Sequence, residues 1–486
     1  MLWAQPPAST QPDNRSREDM NRRDFLKTGS LALVSAILLG CRSAGPTPTA
    51  VNRPTRRPTP PAAGDQPILV VGAGIAGLAA ARELHRQGRE VLVIEARDRI
   101  GGRIWTDTAW SDRPLDLGAS WIHGVTGNPI TELAAQSGAR TVTTDYDNAV
   151  IYDTTGAPLD RSGELRLERL ADDIARVLRE AQDGDRDQAV QAAVEAGLPW
   201  SALSPAERIE ARFILNSTLE QEYAGSTAEL STYWFDADGG FKGGDVLLPA
   251  GYGQIVDDLA AGIPLALGQT VREVRVTEEA VTIATETDTY TGPHAIVTLP
   301  LGVLKTGKVA FSPALPAPTQ RSIDALGMGV LNKCYLRFPA VFWPEVDWLE
   351  YVARRNGHWV EWLSLARPAQ QPVLLGFNAA DFGREIEAWS DEQIVADALR
   401  TLRVLFGRQV PDPVGFQITR WASDPFARGS YSFNALSSTP DMRDELARSI
   451  DGRLHLAGEA THGEYFGTVH GAYLSGLRAA QDSLRP

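Results

Sequence analysis

Ile68-Leu69-Val70-Val71-Gly72-Ala73-Gly74-Ile75-Ala76-Gly77-Leu78-Ala79-Ala80 decides the fold of this chain. An apolar strand runs straight into three glycines and then an alanine-rich helix. Gly72 permits the tight turn, Gly74 lets the backbone approach a pyrophosphate, and Gly77 lets helix and strand pack closely. Ile75 and Ala76 open the helix, whose free N–H groups and positive dipole end favour phosphate. The next apolar strand ends on Glu95, 23 positions after Gly72, where a ribose hydroxyl would need an acceptor. Strand, glycine loop, helix and acid together predict a Rossmann-like, dinucleotide-binding α/β unit.

The chain continues Glu95-Ala96-Arg97-Asp98-Arg99-Ile100-Gly101-Gly102-Arg103. Glycines admit a second backbone stretch to the phosphates, and arginine forks bind phosphate oxygens in a bidentate way. Any one of these arginines alone reads as a charged surface residue. The whole pattern resembles the FAD-binding signature of the flavin-containing amine oxidase family, which implies FAD as cofactor. The resemblance extends from Ile68 to Ala480 and implies an FAD-binding domain built from three segments, 67–139, 244–311 and 417–486. An α+β substrate-binding domain would be inserted as 140–243 and 312–416. Further cofactor contacts are expected from Gly118, Ala119, Ser120 and Trp121, from Val271 and Val274, and from Gly458, Glu459, Thr468 and Val469. Glu459 would bond the ribityl or pyrophosphate part, and the Val469 N–H, at a helix start, would face the pyrimidine end of the flavin.

Four residues are expected at the chemistry. Lys333 lies on an otherwise apolar strand, where a lysine is costly to bury without a task or partner. An edge-strand lysine facing solvent is the alternative; the resemblance makes it the lysine that holds a water against the flavin. Tyr431 matches one wall of the family's aromatic cage. Thr468 stands where many family members place the second cage tyrosine, which opens the cage. His123 follows Trp121 in a loop expected to face the flavin. Ser430 occupies the place of the cysteine that bonds flavin in monoamine oxidases, so FAD is expected to be non-covalent. Glu222 and Asp236 read as solvated surface acids, with a distal-ammonium role as the alternative. No metal site is assigned.

Composition sets wider bounds. A chain of 486 residues exceeds one ordinary core, so two domains are expected. A net charge of −14 argues against nucleic acid as a partner. Residues 1–19 read as an upstream extension before Met20. Residues 20–41 combine Arg22-Arg23, a short apolar run and Cys41, the pattern of a twin-arginine signal ending in a lipobox. That pattern predicts an exported bacterial lipoprotein, anchored through Cys41, with 42–66 as a Pro/Thr-rich tether. Cys334, the second cysteine of two, would then be a lone buried thiol.

The expected reaction is oxidation of an amine, foremost a polyamine, by hydride transfer to flavin. It would yield an imine and then an aldehyde, a shortened amine and hydrogen peroxide, with oxygen as acceptor. An L-amino-acid oxidase is the alternative. The loop Ser120-Trp121-Ile122-His123 lacks the arginine that would clamp a substrate carboxylate, although Arg428 could substitute. A flavoprotein that binds without catalysis is the third reading.

Overall fold

The computed structural model describes residues 66–485. The expected extension, signal and lipidated cysteine within 1–41, and all but the last residue of the tether 42–66, lie outside those residues. No described helix is long and apolar enough to cross a membrane.

Val70 and its neighbours are buried on both faces, as the unbroken apolar run requires of a parallel strand. Ile68–Val71 lies in the middle of a five-stranded parallel sheet. The order is Leu454–Leu456, Ala295–Val297, Ile68–Val71, Val91–Ile94, Leu265–Ala266. Its strands therefore come from chain stretches almost 400 residues apart. On one face lie the helices Ile75–Arg86 and Val469–Ser483. Both approach so closely that side chains are excluded. A Cβ on Gly77 would stand 2.0 Å from the Gly72 carbonyl oxygen, and one on Gly476 would stand 2.1 Å from that of Ala76. The opposite face packs on a four-stranded sheet that includes Val271–Val276 and Val281–Thr285.

The second large body is a six-stranded sheet in the order Gly415–Ile418, Leu331–Arg337, Val373–Ala379, Glu361–Ser364, Trp348–Tyr351, Ala149–Tyr152. Alternation sorts its side chains. Cys334, Leu336, Leu374, Trp362 and Leu349 pack against a helical layer that includes Arg161–Gln182, Pro205–Leu215 and Asp391–Phe406. Tyr335, Leu375, Phe377, Leu363 and Trp348 face the other way, onto Leu115, Leu117 and Leu247. Arg161–Gln182 buries Leu167, Ile174 and Leu178 along one stripe and is capped by Asp160, whose carboxylate accepts from Gly163 N.

Helix Pro205–Leu215 does not end cleanly. It widens into a π-helical turn, Asn216–Glu220, before the short helix Gln221–Tyr223. Glu220 holds that turn from within, accepting from Asn216 Nδ2 at 2.6 Å and from Thr227 N and Oγ1 at 3.0 Å. The extra residue per turn re-aims the following side chains, a device common at functional sites.

His455, in the edge strand of the parallel sheet, is 2% exposed, stacks on His294, and has no hydrogen bond to either ring nitrogen among the described residues. Burial pulls its imidazole down to about 4, with His294 adding to the effect. The unfolded chain takes up the proton near 6.5 while the folded one does not. Stability from this group is therefore full above 6.5 and falls as pH drops toward 4. Between pH 6.5 and 5 the loss should be about 2 kcal/mol. Urea midpoints at the two pH values should show this difference, and His455→Leu should reduce it.

Candidate active site

A cavity of about 590 Å³ lies where the two large sheets meet. One end is formed by the glycine loop and the strand ends that follow it. Gly72, Gly74, Ile75 and Ala76 line it, together with Glu95, Ala96, Arg97, Gly102 and Arg103. Glu95 is held rigidly, accepting from Ala73 N at 2.7 Å and Arg97 N at 2.9 Å. Val271 joins this end. Val274 and Gly77, both expected at the cofactor, do not line the cavity. Val274 is fully buried in the core between the parallel sheet and the four-stranded sheet. Gly77 instead serves the close helix–strand packing described above.

The middle of the cavity is built by a buried ionic network. Glu459 accepts from Arg103 Nη1 at 2.8 Å, Ser432 Oγ at 2.6 Å and Gly467 N at 2.9 Å. Arg103 Nη1 also donates to the Ser430 carbonyl at 2.9 Å. Arg443, fully buried over the Phe466 ring, donates to Ser432 Oγ and Asn434 Oδ1. Burial would raise the Glu459 carboxyl, but Arg103, Ser432 and Arg443 outweigh it and hold the group below its ordinary value. Gly458 and Glu459 both border the cavity, and a Cβ on Gly458 would meet nothing of the protein within 4 Å.

Lys333 emerges from the six-stranded sheet, 5% exposed, and meets the loop Asp116–Ser120. Its Nζ donates to Asp116 O at 2.8 Å, Gly118 O at 2.6 Å and Ser120 Oγ at 2.5 Å. Three oxygens use all three donors of an ammonium. A water held by Lys333 must share or replace one of them, and Ser120 Oγ is the only side-chain oxygen among the three. Burial pulls the Lys333 ammonium down to about 7 and pushes the Asp116 carboxyl up to about 6, each charge opposing the other's shift. The same loop receives Tyr335 OH on Asp116 O and Trp421 Nε1 on Leu117 O. Gly118, Ala119, Ser120 and Trp121 thus reach the cavity on a loop pinned from the sheet below.

The last helix presents its N-terminus to the same space. Thr468 caps it, accepting from Gly471 N at 3.0 Å while donating to Tyr465 O at 2.7 Å, and Val469 begins the helix. The Thr468 hydroxyl is therefore committed to the backbone. Tyr431 borders the cavity with its hydroxyl on the Gln221 carbonyl at 3.1 Å. His123 also lines it, stacked on Trp121, with Nδ1 2.8 Å from Asp245 Oδ2. Asp245 Oδ1 accepts from Gly124 N.

The far wall is aromatic. Trp121 stacks on Trp348, Tyr146 stacks on Trp348, and Phe377 lies against both indoles. Gln221, Glu222 and Glu361 line the cavity as well. Glu222 is thus a cavity acid rather than the solvated surface acid expected, because the π-helical turn swings it inward. Asp236 stays outside the lining, accepting from Gln182. Gln221, Asp245 and Glu361 carried no local sequence motif; they reach the site through the π-turn, a long-range pairing and sheet register.

Glycines that leave open space, a pinned acid beside the first helix and two helix N-termini on one cavity fit a dinucleotide with an extended, polar body. Residues 75–484 match the family model described as flavin containing amine oxidoreductase. The chain belongs to that family. It is an FAD-dependent amine oxidase, acting on a small-molecule amine with oxygen. Polyamine oxidase 2 of Arabidopsis thaliana is 34% identical over 436 residues, covering 85% of this chain and 87% of the relative. Polyamine oxidase 4 of Oryza sativa subsp. japonica is 34% identical, with 85% and 88% covered. Lysine-specific histone demethylase 1 homolog 1 of the same rice is 35% identical over 469 residues, covering 91% of this chain but 54% of the relative.

These relatives correct one expectation. The twin-arginine export, lipid anchoring at Cys41 and extracytoplasmic placement read from residues 20–41 are overturned. The matching proteins are plant polyamine oxidases and histone demethylases, not bacterial lipoproteins.

Ser430 spends its hydroxyl on Leu331, accepting from its N at 2.8 Å and donating to its O at 3.1 Å, and Cys334 is buried on the opposite face of the sheet. Acid precipitation of the enzyme should therefore release all its flavin into the supernatant. Glu95→Ala should weaken FAD binding about tenfold, the loss of one charge-assisted hydrogen bond, as read by titrating apoenzyme with FAD.

Proposed function

We propose that this amine oxidase acts on polyamines, with FAD held by the parallel-sheet segments 67–139, 244–311 and 417–486 and the amine held by 140–243 and 312–416. One observation carries the reading: a single cavity combines stacked aromatic rings with the carboxylates Glu222 and Glu361. Aromatic faces and carboxylates both attract ammonium groups. Near-complete coverage of polyamine oxidase relatives, against about half of the histone demethylase, supports the same reading.

An amino-acid substrate would need a cation for its carboxylate. Among the described residues lining the cavity, every arginine has a carboxylate partner (Arg97 with Asp424, Arg103 with Glu459, Arg272 with Glu286). Lys333 donates to three protein oxygens, Lys308 falls between the lining residues Thr306 and Val309, and Arg428 is not in the lining. That arrangement disfavours the L-amino-acid oxidase alternative.

FAD, when bound, supplies the hydride acceptor. The residues prepare the amine. The Asp245 carboxylate keeps the proton of His123 on Nδ1, so Nε2 is the ring nitrogen left to accept the proton of a substrate ammonium. Tyr431, steadied by the Gln221 carbonyl, supplies one aromatic face beside the amine. Lys333 fixes the loop that borders the reacting centre, donating to the Asp116 and Gly118 carbonyls. The N-terminus at Val469 adds a positive potential.

Anaerobic titration tests the reading directly. Spermine or spermidine should bleach the flavin absorbance, and air should restore it with peroxide formed. Bleaching by L-amino acids alone would overturn it. His123→Gln should lower kcat/KM at pH 7 about a hundredfold. The deficit should narrow as pH rises, because a larger share of the amine is then already neutral; a pH-independent loss would deny the proton-accepting role.

A further inference from the structure

The residues Lys333, Phe377 and Glu361 are direct cross-strand partners on three adjacent strands of the six-stranded sheet. Direct partners share a face, so all three point toward the cavity, and all three line it. The outer two strand positions are about 10 Å apart, two strand spacings. Glu361 is only 3% exposed and sits beside Phe377, with Trp348 on the next strand also in the lining. Glu350 stands directly opposite Glu361 on that strand, which places two carboxylates in register.

A carboxylate at this depth is a poor choice for packing alone. An apolar residue would fill a strand position beside Phe377 at less desolvation cost, whereas a carboxylate there is suited to a cation arriving from the cavity. The sheet therefore presents a charged ladder along the substrate's path. Lys333 stands at the reacting end, and the Glu361 carboxyl stands two strand spacings away across Phe377. A second ammonium on the substrate is drawn to that carboxyl.

We infer that Glu361 anchors a second, unreacting ammonium of the substrate and so selects diamines and polyamines, in one orientation, over monoamines. The inference rests on the polyamine reading above and assigns its selectivity to one residue. Glu361 is a specificity residue that touches substrate away from the bond that reacts. Its contribution is to binding, so it should appear in KM more than in kcat.

Steady-state kinetics of the FAD-loaded enzyme with spermidine and with a monoalkylamine of the same chain length separate the possibilities. Wild-type enzyme should prefer spermidine. Glu361→Gln should raise KM for spermidine about thirtyfold or more. The same change should leave kcat/KM for the monoalkylamine equal or higher, with the flavin spectrum unchanged. Glu361→Asp, which keeps the charge, should recover part of the spermidine preference. Equal losses on both substrates, or no loss on spermidine, would overturn the assignment while leaving the polyamine reading intact. Wild-type enzyme that oxidises the monoalkylamine but not spermidine would overturn that reading and this inference with it. Should Glu361→Gln fail to retain flavin, Glu361→Asp is compared with wild type: a spermidine preference that is reduced through a higher spermidine KM, with the monoalkylamine unaffected, upholds the assignment, and an unchanged preference overturns it.

Discussion

An ammonium buried between two sheets has to be surrounded by oxygen, and that requirement organises the centre of this enzyme. Lys333 projects from the six-stranded sheet into the carbonyls of Asp116 and Gly118. Those carbonyls belong to a loop that also touches the cofactor end of the cavity, through Ala119 N on the Arg103 carbonyl. A Cβ on Gly118 would stand 1.8 Å from that same carbonyl oxygen, so the loop can approach only as glycine. One side chain thus sets the distance between the sheet that would bind substrate and the loop that borders the cofactor. Tyr335 and Trp421 add further donors to the same loop, which limits how far it can drift. An unpaired buried charge would be far more costly than this rigid arrangement.

The same logic recurs one layer deeper. Glu459 is a buried carboxylate whose partners come from distant parts of the chain: Arg103 from the first glycine-rich stretch, Ser432 from the segment along the cavity, and Gly467 before the last helix. Arg443 balances the second side through Ser432. Desolvation makes each of these contacts strong and makes their loss expensive, so the network welds segments that sequence keeps more than 300 residues apart. Glycine contacts between the helices Ile75–Arg86 and Val469–Ser483 do the matching steric work. Polar closure and close packing together hold both helix N-termini on one cavity.

Features carried by local pattern were legible in the sequence. The strand–glycine–helix unit at Ile68, the strand Val271–Val276 and the helix Asp391–Phe406 each announce themselves through periodicity or turn residues. The glycine loop and its acid, which lie within one supersecondary unit, line one end of the cavity. The rest required pairing across distance. Glu361 reaches the cavity only because it pairs with Phe377, which pairs with Lys333. Asp245 meets His123 across 122 positions. Glu222 read as a surface acid because nothing local signals the π-helical turn before it. Val274 went the other way, into the core between the parallel and four-stranded sheets, through packing that no local pattern signals.

Thr468 shows how one residue can serve architecture and still shape chemistry. Its hydroxyl caps the last helix, so the positive helix end stays ordered beside the cavity. A tyrosine at that place could not make the same short cap, and the helix would have to start differently. With threonine there, Tyr431 borders the cavity, and the stacked rings of Trp121, Trp348 and Tyr146 line it as well. A site open at the centre and aromatic farther away favours a substrate that extends beyond its reacting nitrogen. On the proposed polyamine reading, orientation would come from polar groups along the path rather than from a tight cage, and the register of the six-stranded sheet places Lys333 and Glu361 on one face, two strands apart.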